Sequence, residues 1–392
     1  MEDIIQNSLN PQAEPTKEER QKIAKEYSSV HNQLFLLDTI LTFMGLVMII
    51  VGGNSGISGR ISTALSIHIP NNWLLVAGYV VIINTAYCIL FLPFNFYEGY
   101  TLEHKFKLSN QTIGAWAKDK LKSFGVSLVL SLIIMEVTYW LLRVSGGSWW
   151  IWAGCLWILF SIVLTHLAPI LLMPIFFKIT PLDNNELSER LKNLAQKTGA
   201  NILGVFEMDL SKKTKKANAA FTGIGNTKRI LLADTLLQKF SHEEIEVILA
   251  HELGHYYYSH LWKLLTFGVV STFAGLALCN VALNHFVSTL GFTSIADIGA
   301  FPVFAIVLFF FMLITLPINN TFSRHLEKQA DAFALDTTRK PEAFISSMNK
   351  LAEQNLADTN PNPIIHFILH SHPSISERIK MAEIFISKRK FL

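Results

Sequence analysis

AFPVFAIVLFFFMLITLPI, residues 300–318, runs for 19 positions without a charged side chain. As a helix it would rise about 28 Å at 1.5 Å per residue, close to the ~30 Å hydrocarbon thickness of a bilayer. Five more windows of similar character lie upstream: Leu34–Val51, Trp73–Phe96, Phe124–Leu142, Trp149–Phe176 and Leu264–Phe286. The spacing predicts six membrane-spanning helices, the fourth kinked or ended by Pro169 and Pro174. Composition agrees. Of the 392 residues 51% are apolar and 16% charged, where a soluble domain carries about 25% charge. Mean hydropathy is +0.35.

Other classes are excluded by the same numbers. With 28 Phe, 8 Trp and 13 Pro the chain is neither disordered nor collagenous. Cys88, Cys155 and Cys279 stand singly in apolar runs, so they read as small packing residues, not a disulfide framework or catalytic thiols. A net charge of +3 gives no reason to expect a nucleic-acid partner. The first 32 residues are polar and lack an apolar core segment, so no cleavable signal peptide is expected.

Lys and Arg set the expected orientation. Lys17, Arg20, Lys22 and Lys25 precede the first window, and Lys105, Lys107, Lys118 and Lys120 lie between the second and third. The 53–72 connection has only Arg60, and 287–299 has no Lys or Arg. Both termini and both polar regions therefore fall on the cytoplasmic side. The chain divides into a polar N-terminal tail (1–32), four spans (33–177), a polar module (178–263), two spans (264–320) and a C-terminal segment (321–392). In the module, leucines at helical spacing mark 185–198, and strands are expected near Val205–Met208, Asn218–Thr222 and Arg229–Leu232. Ser241 followed by Glu244 is a capping-box pattern for a helix running through Tyr258.

That helix contains His251-Glu252-Leu253-Gly254-His255. Histidines at i and i+4 share one helix face, so both imidazoles reach one ion, and the glutamate between them can take a proton from a metal-activated water. A third protein ligand is needed. Just after the sixth window, Glu327 and Asp331 are also one turn apart. Glu327 could ligate while Asp331 accepts the outer N–H of a ligand histidine. The alternatives are a plain surface helix bearing two histidines, and an exposed helix in which Arg324 and Lys328 pair with these acids. Elsewhere, Glu136 lies within a span and either lines a hydrated chamber or pairs near a span end. Asn280 and Asn84 suit interhelical hydrogen bonding. His366 and His370 are either solvated or rival ligands. The Lys212–Lys216 basic loop is either solvated or faces anionic lipid.

Residues 251–255 with 323–331 resemble the type I CAAX prenyl protease family, integral-membrane zinc metalloproteases of the gluzincin group. Asn218-Ala219-Ala220-Phe221-Thr222-Gly223, Lys228–Leu232, Asp234–Leu237, Asn320–Arg324 and His372-Pro373 with Arg378-Ile379 extend the likeness, as do Glu103, Phe106, Asn110–Thr112 and Ala168-Pro169. It covers about residues 70 to 385. The chain departs in having six spans, where eukaryotic members have seven, and in placing Ala220 where the edge strand usually has an aromatic.

The resemblance implies a mainly helical polytopic fold with a gluzincin-like module and a small β-sheet. It implies one zinc bound by His251, His255 and Glu327, with Glu252 as general base and Asp331 orienting a ligand imidazole. His372 would donate to the developing oxyanion, and Arg378 would hold that region or a substrate carboxylate. Asn218, Ala219, Ala220 and Phe221 would pair with an extended substrate. The expected substrate is a prenylated or membrane-embedded protein, and the expected place is the cytoplasmic membrane of a bacterium or the endoplasmic reticulum of a eukaryote. A membrane-protein quality-control protease is the alternative, and a channel or scaffold with a relic zinc site is a second.

Overall fold

The computed structural model describes residues 16–223 and 227–389. Residues 1–15 of the expected N-terminal tail lie outside them. Among the described residues six helices are long and apolar enough to cross a membrane: Lys17–Ile50, Asn72–Lys105, Ile113–Val144, Gly146–Phe176, His260–Thr289 and Ile298–Thr338. Five of them contain a whole window read from hydropathy, and the first ends at Ile50, one residue short of its window's end.

The helices outrun those windows because polar continuations dock on protein. Residues 17–32 are not a separate tail; they form the first turns of the opening helix, capped by Thr16, whose Oγ1 accepts from the Glu19 N–H. Tyr27 and Leu34 on that helix pack with Leu102 and Leu108. Glu103 accepts from the Tyr27 hydroxyl and lies 2.9 Å from the Lys216 ammonium. Likewise the sixth span continues as one helix, Phe301–Thr338, past Pro317 and across the 320/321 boundary. The fourth span loosens into a π-helical turn at Ala168–Leu172. Arg229 Nη2 donates to the Pro169 carbonyl there, at 3.2 Å, meeting a backbone acceptor that a proline-disturbed helix exposes.

The connection expected as a loop at 53–72 holds a helix, Ile57–His68. Its apolar content is modest, and buried hydroxyls fix it. Ser58 shares a 2.6 Å hydrogen bond with the Tyr79 hydroxyl and donates to the Gly299 carbonyl. Ser62 donates to Asp297. Between the spans, Trp149 is fully buried and donates from Nε1 to Asn280 Oδ1 at 2.8 Å.

The module after the fourth span carries a four-stranded sheet: β1 (Ile179–Pro181), β2 (Val205–Met208), β3 (Ala219–Thr222) and β4 (Arg229–Ala233), in the order β1-β2-β4-β3. β2 and β4 are parallel; the other pairs are antiparallel. Three strands fall where the sequence placed them, and β1 is additional. β3 is an edge, with Ala220 opposite Leu231 and Phe221 opposite Ile230. Leu187, Leu191, Ile230, Leu232 and Leu249 form the core that joins sheet and helices. The basic loop is held by ion pairs, with Lys213 2.7 Å from Asp119 and Lys212 2.6 Å from Asp209.

Candidate metal centre

His242–Tyr257 is a helix closed at its start by the Ser241–Glu244 capping box. It crosses the Phe301–Thr338 helix at a point where side chains nearly vanish. A Cβ added at Gly254 would stand 3.0 Å from the Ala330 Cα. Gly254 lies between His251 and His255, and Ala330 between Glu327 and Asp331. The glycine therefore sets how closely the two pairs of polar side chains face each other.

At that crossing, ligand atoms of His251, His255 and Glu327 all lie within 4.8 Å of one another. His251 Nε2 is 3.2 Å from Glu327 Oε2, His255 Nε2 is 3.4 Å from Glu327 Oε1, and the two Nε2 atoms are 3.2 Å apart. Behind them, His251 Nδ1 meets Asp331 Oδ1 at 2.8 Å, and Arg378 Nε donates to Asp331 Oδ2 at 2.9 Å. Glu327 is 6% exposed and Asp331 0%. That rules out the exposed charged helix. Arg324 does not serve those acids; it donates to the carbonyls of His366, Phe367 and His370. With Asn320, which donates to Ile368 O at 2.6 Å, it fixes the loop that brings His372 Nε2 to 3.4 Å from Glu327 Oε1.

The set fits a cation. With Nδ1 of His251 donating to Asp331, the neutral ring offers its Nε2 lone pair to a cation. That lone pair faces a second imidazole and a carboxylate, and Glu327 Oε2 is buried with no hydrogen-bond partner. Lone pairs so gathered repel unless a positive ion lies among them. Electrostatics separates the two histidines. Burial disfavours a charged His251, but the hydrogen bond and charge of Asp331 outweigh it and lift the ring to about 9. Burial, aided by the charge of His251, lowers His255 to about 4. For Glu252, burial raises the carboxyl above its ordinary value, while the His251 ring and the Phe221 backbone pull it down.

Of the substrate-strand residues, Asn218 and Ala219 line a cavity of about 220 Å³ together with His251, Glu252, His372 and Arg378. Ala220 and Phe221 follow along β3, and Phe221 packs against the Tyr256 ring. His372 and Arg378 also line a cavity of about 700 Å³ that reaches Tyr27, His31 and Phe35 on the first helix. Sequence reading assigned nothing to His260, Gln329, Asn320 or the carbonyl contacts of Arg324. Their partners are distant in the chain, and no local periodicity announces them.

Residues 181–384 match the model of peptidase family M48, and residues 9–178 that of the CAAX prenyl protease N-terminal region, described as five membrane helices. Among the described residues of that second match are four span-length helices and the shorter Ile57–His68. The chain is 30% identical over 365 residues to the uncharacterized metalloprotease YhfN of Bacillus subtilis, covering 92% of this chain and 85% of that protein. It is 30% identical over 322 residues to CAAX prenyl protease 1 of Saccharomyces cerevisiae, covering 76% and 70%. The crystal structure of S. mikatae Ste24p superposes with a TM-score of 0.82 at 24% identity over 93% of this chain and 89% of that one, a likeness of fold. A match across more than half the chain, on a site of two histidines and a glutamate at the end of a membrane span, makes this an integral-membrane metalloendopeptidase belonging to peptidase family M48.

Proposed function

We propose that the metal is zinc and that the enzyme cuts CAAX-type, lipid-modified or other membrane-associated proteins near their C-termini. The observation that carries this reading is the placement of the His251, His255 and Glu327 cluster on the continuation of a membrane span, beside an edge strand. The names of the yeast and plant relatives, CAAX prenyl protease 1 and its homolog, support the substrate class.

Zinc held by His251, His255 and Glu327 supplies Lewis-acid polarisation of the attacking water and the scissile carbonyl. Glu252 takes one proton from that water and returns it to the leaving amine. The water oxygen bonds the carbonyl carbon, the C–N bond breaks, and a carboxylic acid and an amine result. His372 donates to the oxygen that gains charge in between. Asp331, clamped by Arg378, holds the His251 tautomer that leaves Nε2 bare. The β3 backbone from Asn218 to Phe221 adds the substrate as a further strand, and the raised Glu252 carboxyl at Phe221 stands next to the bond so presented. The distribution of Lys and Arg supports a cytoplasmic site and cytoplasmic termini.

The test uses detergent-purified protein with a farnesylated CAAX peptide and an unfolded membrane protein, each beside Glu252→Gln, with cleavage sites mapped by mass spectrometry. Release of the last three residues of the peptide, lost in the variant, is the expected result. Cleavage of the membrane protein alone would replace this reading with quality-control proteolysis. A zinc-loaded protein that cuts neither would sink both.

A further inference from the structure

His260 opens the fifth spanning helix and is 1% exposed. The chain reaches it through Ser259, which adopts left-handed backbone angles (φ 54°) between the two helices. That turn folds His260 behind His255, on the side away from Glu327. Its Nδ1 lies 3.0 Å from His255 Nδ1, and its Nε2 lies 3.0 Å from Gln329 Oε1. The Gln329 amide nitrogen in turn lies 3.0 Å from His325 Nε2.

Only one arrangement of protons suits this row once His255 Nε2 is a ligand. A ligating nitrogen carries no proton, so the His255 proton sits on Nδ1. Two ring nitrogens 3.0 Å apart share a single proton, so His260 Nδ1 must be bare and accept. His260 then carries its proton on Nε2 and donates to the Gln329 carbonyl oxygen. The Gln329 amide donates to His325 Nε2, which is bare. Each group fixes the next.

We propose that His260 is the positioning residue for His255, an outer partner that holds the ligand in its Nδ1–H tautomer and ring orientation, with Gln329 locking His260. The inference rests on the metal reading of His251, His255 and Glu327 and extends it to residues with no assigned role. It gives the two ligand histidines unlike support. His251 leans on a carboxylate–guanidinium pair, Asp331 with Arg378. His255 leans on a neutral imidazole–amide pair. A carboxylate makes its imidazole a stronger electron donor than a neutral acceptor does. His255 is thus the weaker ligand, the one whose hold depends on geometry more than charge. Because His260 begins a membrane span, the partner that aims His255 is itself anchored to the bilayer-crossing part of the protein.

The test compares purified full-length parent, His251→Ala, His260→Leu, His260→Asn and Gln329→Leu for zinc affinity by chelator competition, with melting temperature followed in each. Leucine fills the volume without an acceptor, whereas asparagine places an oxygen near the Nδ1 position. The expected result is a 10- to 100-fold loss of zinc affinity in His260→Leu. His260→Asn should regain most of the loss, and Gln329→Leu should show a smaller loss of the same sign. Parental zinc affinity in folded His260→Leu overturns the inference and leaves the metal reading standing. If that variant does not fold, parental affinity in Gln329→Leu together with His260→Asn no better than an unrelated destabilised variant overturns it. If the parent binds no zinc, or His251→Ala binds as the parent does, the metal reading falls and the inference with it.

Discussion

Replacing Gly254 by Ala tests whether one absent side chain sets the metal geometry. The added Cβ would meet Ala330 Cα at 3.0 Å and Ala330 Cβ at 3.3 Å. Carbon atoms rest at about 3.5–4.0 Å, so the two helices must part by roughly 0.5–1 Å. Overpacking of that size costs about 1–3 kcal/mol. Alanine in place of glycine within a helix returns about 1 kcal/mol, so the net loss of stability is about 0–2 kcal/mol. The effect on function is larger than the effect on stability. His251 and His255 reach Glu327 at 3.2 and 3.4 Å across the same crossing, and a shift near 1 Å at a reacting centre costs on the order of 10²-fold in rate. Gly254→Ala should therefore melt within a few degrees of the parent, yet lose zinc affinity and about two orders of magnitude in kcat/KM. Gly268→Ala is the control, since its Cβ meets nothing within 4 Å. Melting curves, zinc competition and peptide hydrolysis read the parent and the two variants together. A Gly254→Ala enzyme with parental zinc affinity and kcat/KM within twofold refutes the argument that the close crossing positions the ligands.

Four further variants have outcomes set by contacts in the structure. Asp331→Asn leaves the buried Arg378 guanidinium without its carboxylate and should cost about 3–5 kcal/mol, seen as a lower melting temperature, with zinc bound about 10- to 100-fold more weakly. His372→Ala should lower kcat about 10²- to 10³-fold at unchanged zinc content. Arg324→Ala, which releases the carbonyls of the loop bearing His372, should move kcat in the same direction; a parental kcat in both would remove His372 from the mechanism. For Glu244, burial raises the carboxyl, but hydrogen bonds from Lys350, Ser346 and the Ser241 backbone prevail and hold it below its ordinary 4.5. Its stabilisation is present above pH 4.5 and fades as pH falls through the lower folded value. Melting temperature against pH should accordingly fall less steeply below pH 4.5 in Glu244→Gln than in the parent.

The six spans were legible because each rests on an average over some twenty residues, which no single contact can overturn. His251, Glu252 and His255 were legible because helical geometry converts a spacing of four into a shared face. The rest needed partners that sequence distance hides. β1 is three residues ending in Pro181 and exists only through pairing with β2. The Ile57–His68 helix is fixed by hydroxyl contacts to Asp297 and Gly299, more than 230 residues on. His260 meets Gln329 across 69 positions. The helical state of residues 17–32 is different, because Thr16 and Glu19 form a capping box, a local signal in a stretch whose polar composition is equally that of an unstructured tail.

Why a peptidase should carry Glu327, its proposed third ligand, on the continuation of a membrane span follows from lengths. Glu327 is nine residues beyond Ile318, the last residue of the apolar window, hence about 13 Å farther along the helix axis. An extended peptide covers about 3.3 Å per residue, so roughly four residues bridge from the hydrocarbon edge to the metal. A chain anchored in the bilayer within that reach meets the site as an intramolecular partner would, at an effective concentration on the order of millimolar. A soluble peptide gains no such advantage. The helix that supplies Glu327 thereby does two things at once. It completes a cluster with His251 and His255, and it fixes the distance of that cluster from the apolar window, so that under the proposed substrate class proximity to lipid becomes part of how the enzyme selects what it cuts.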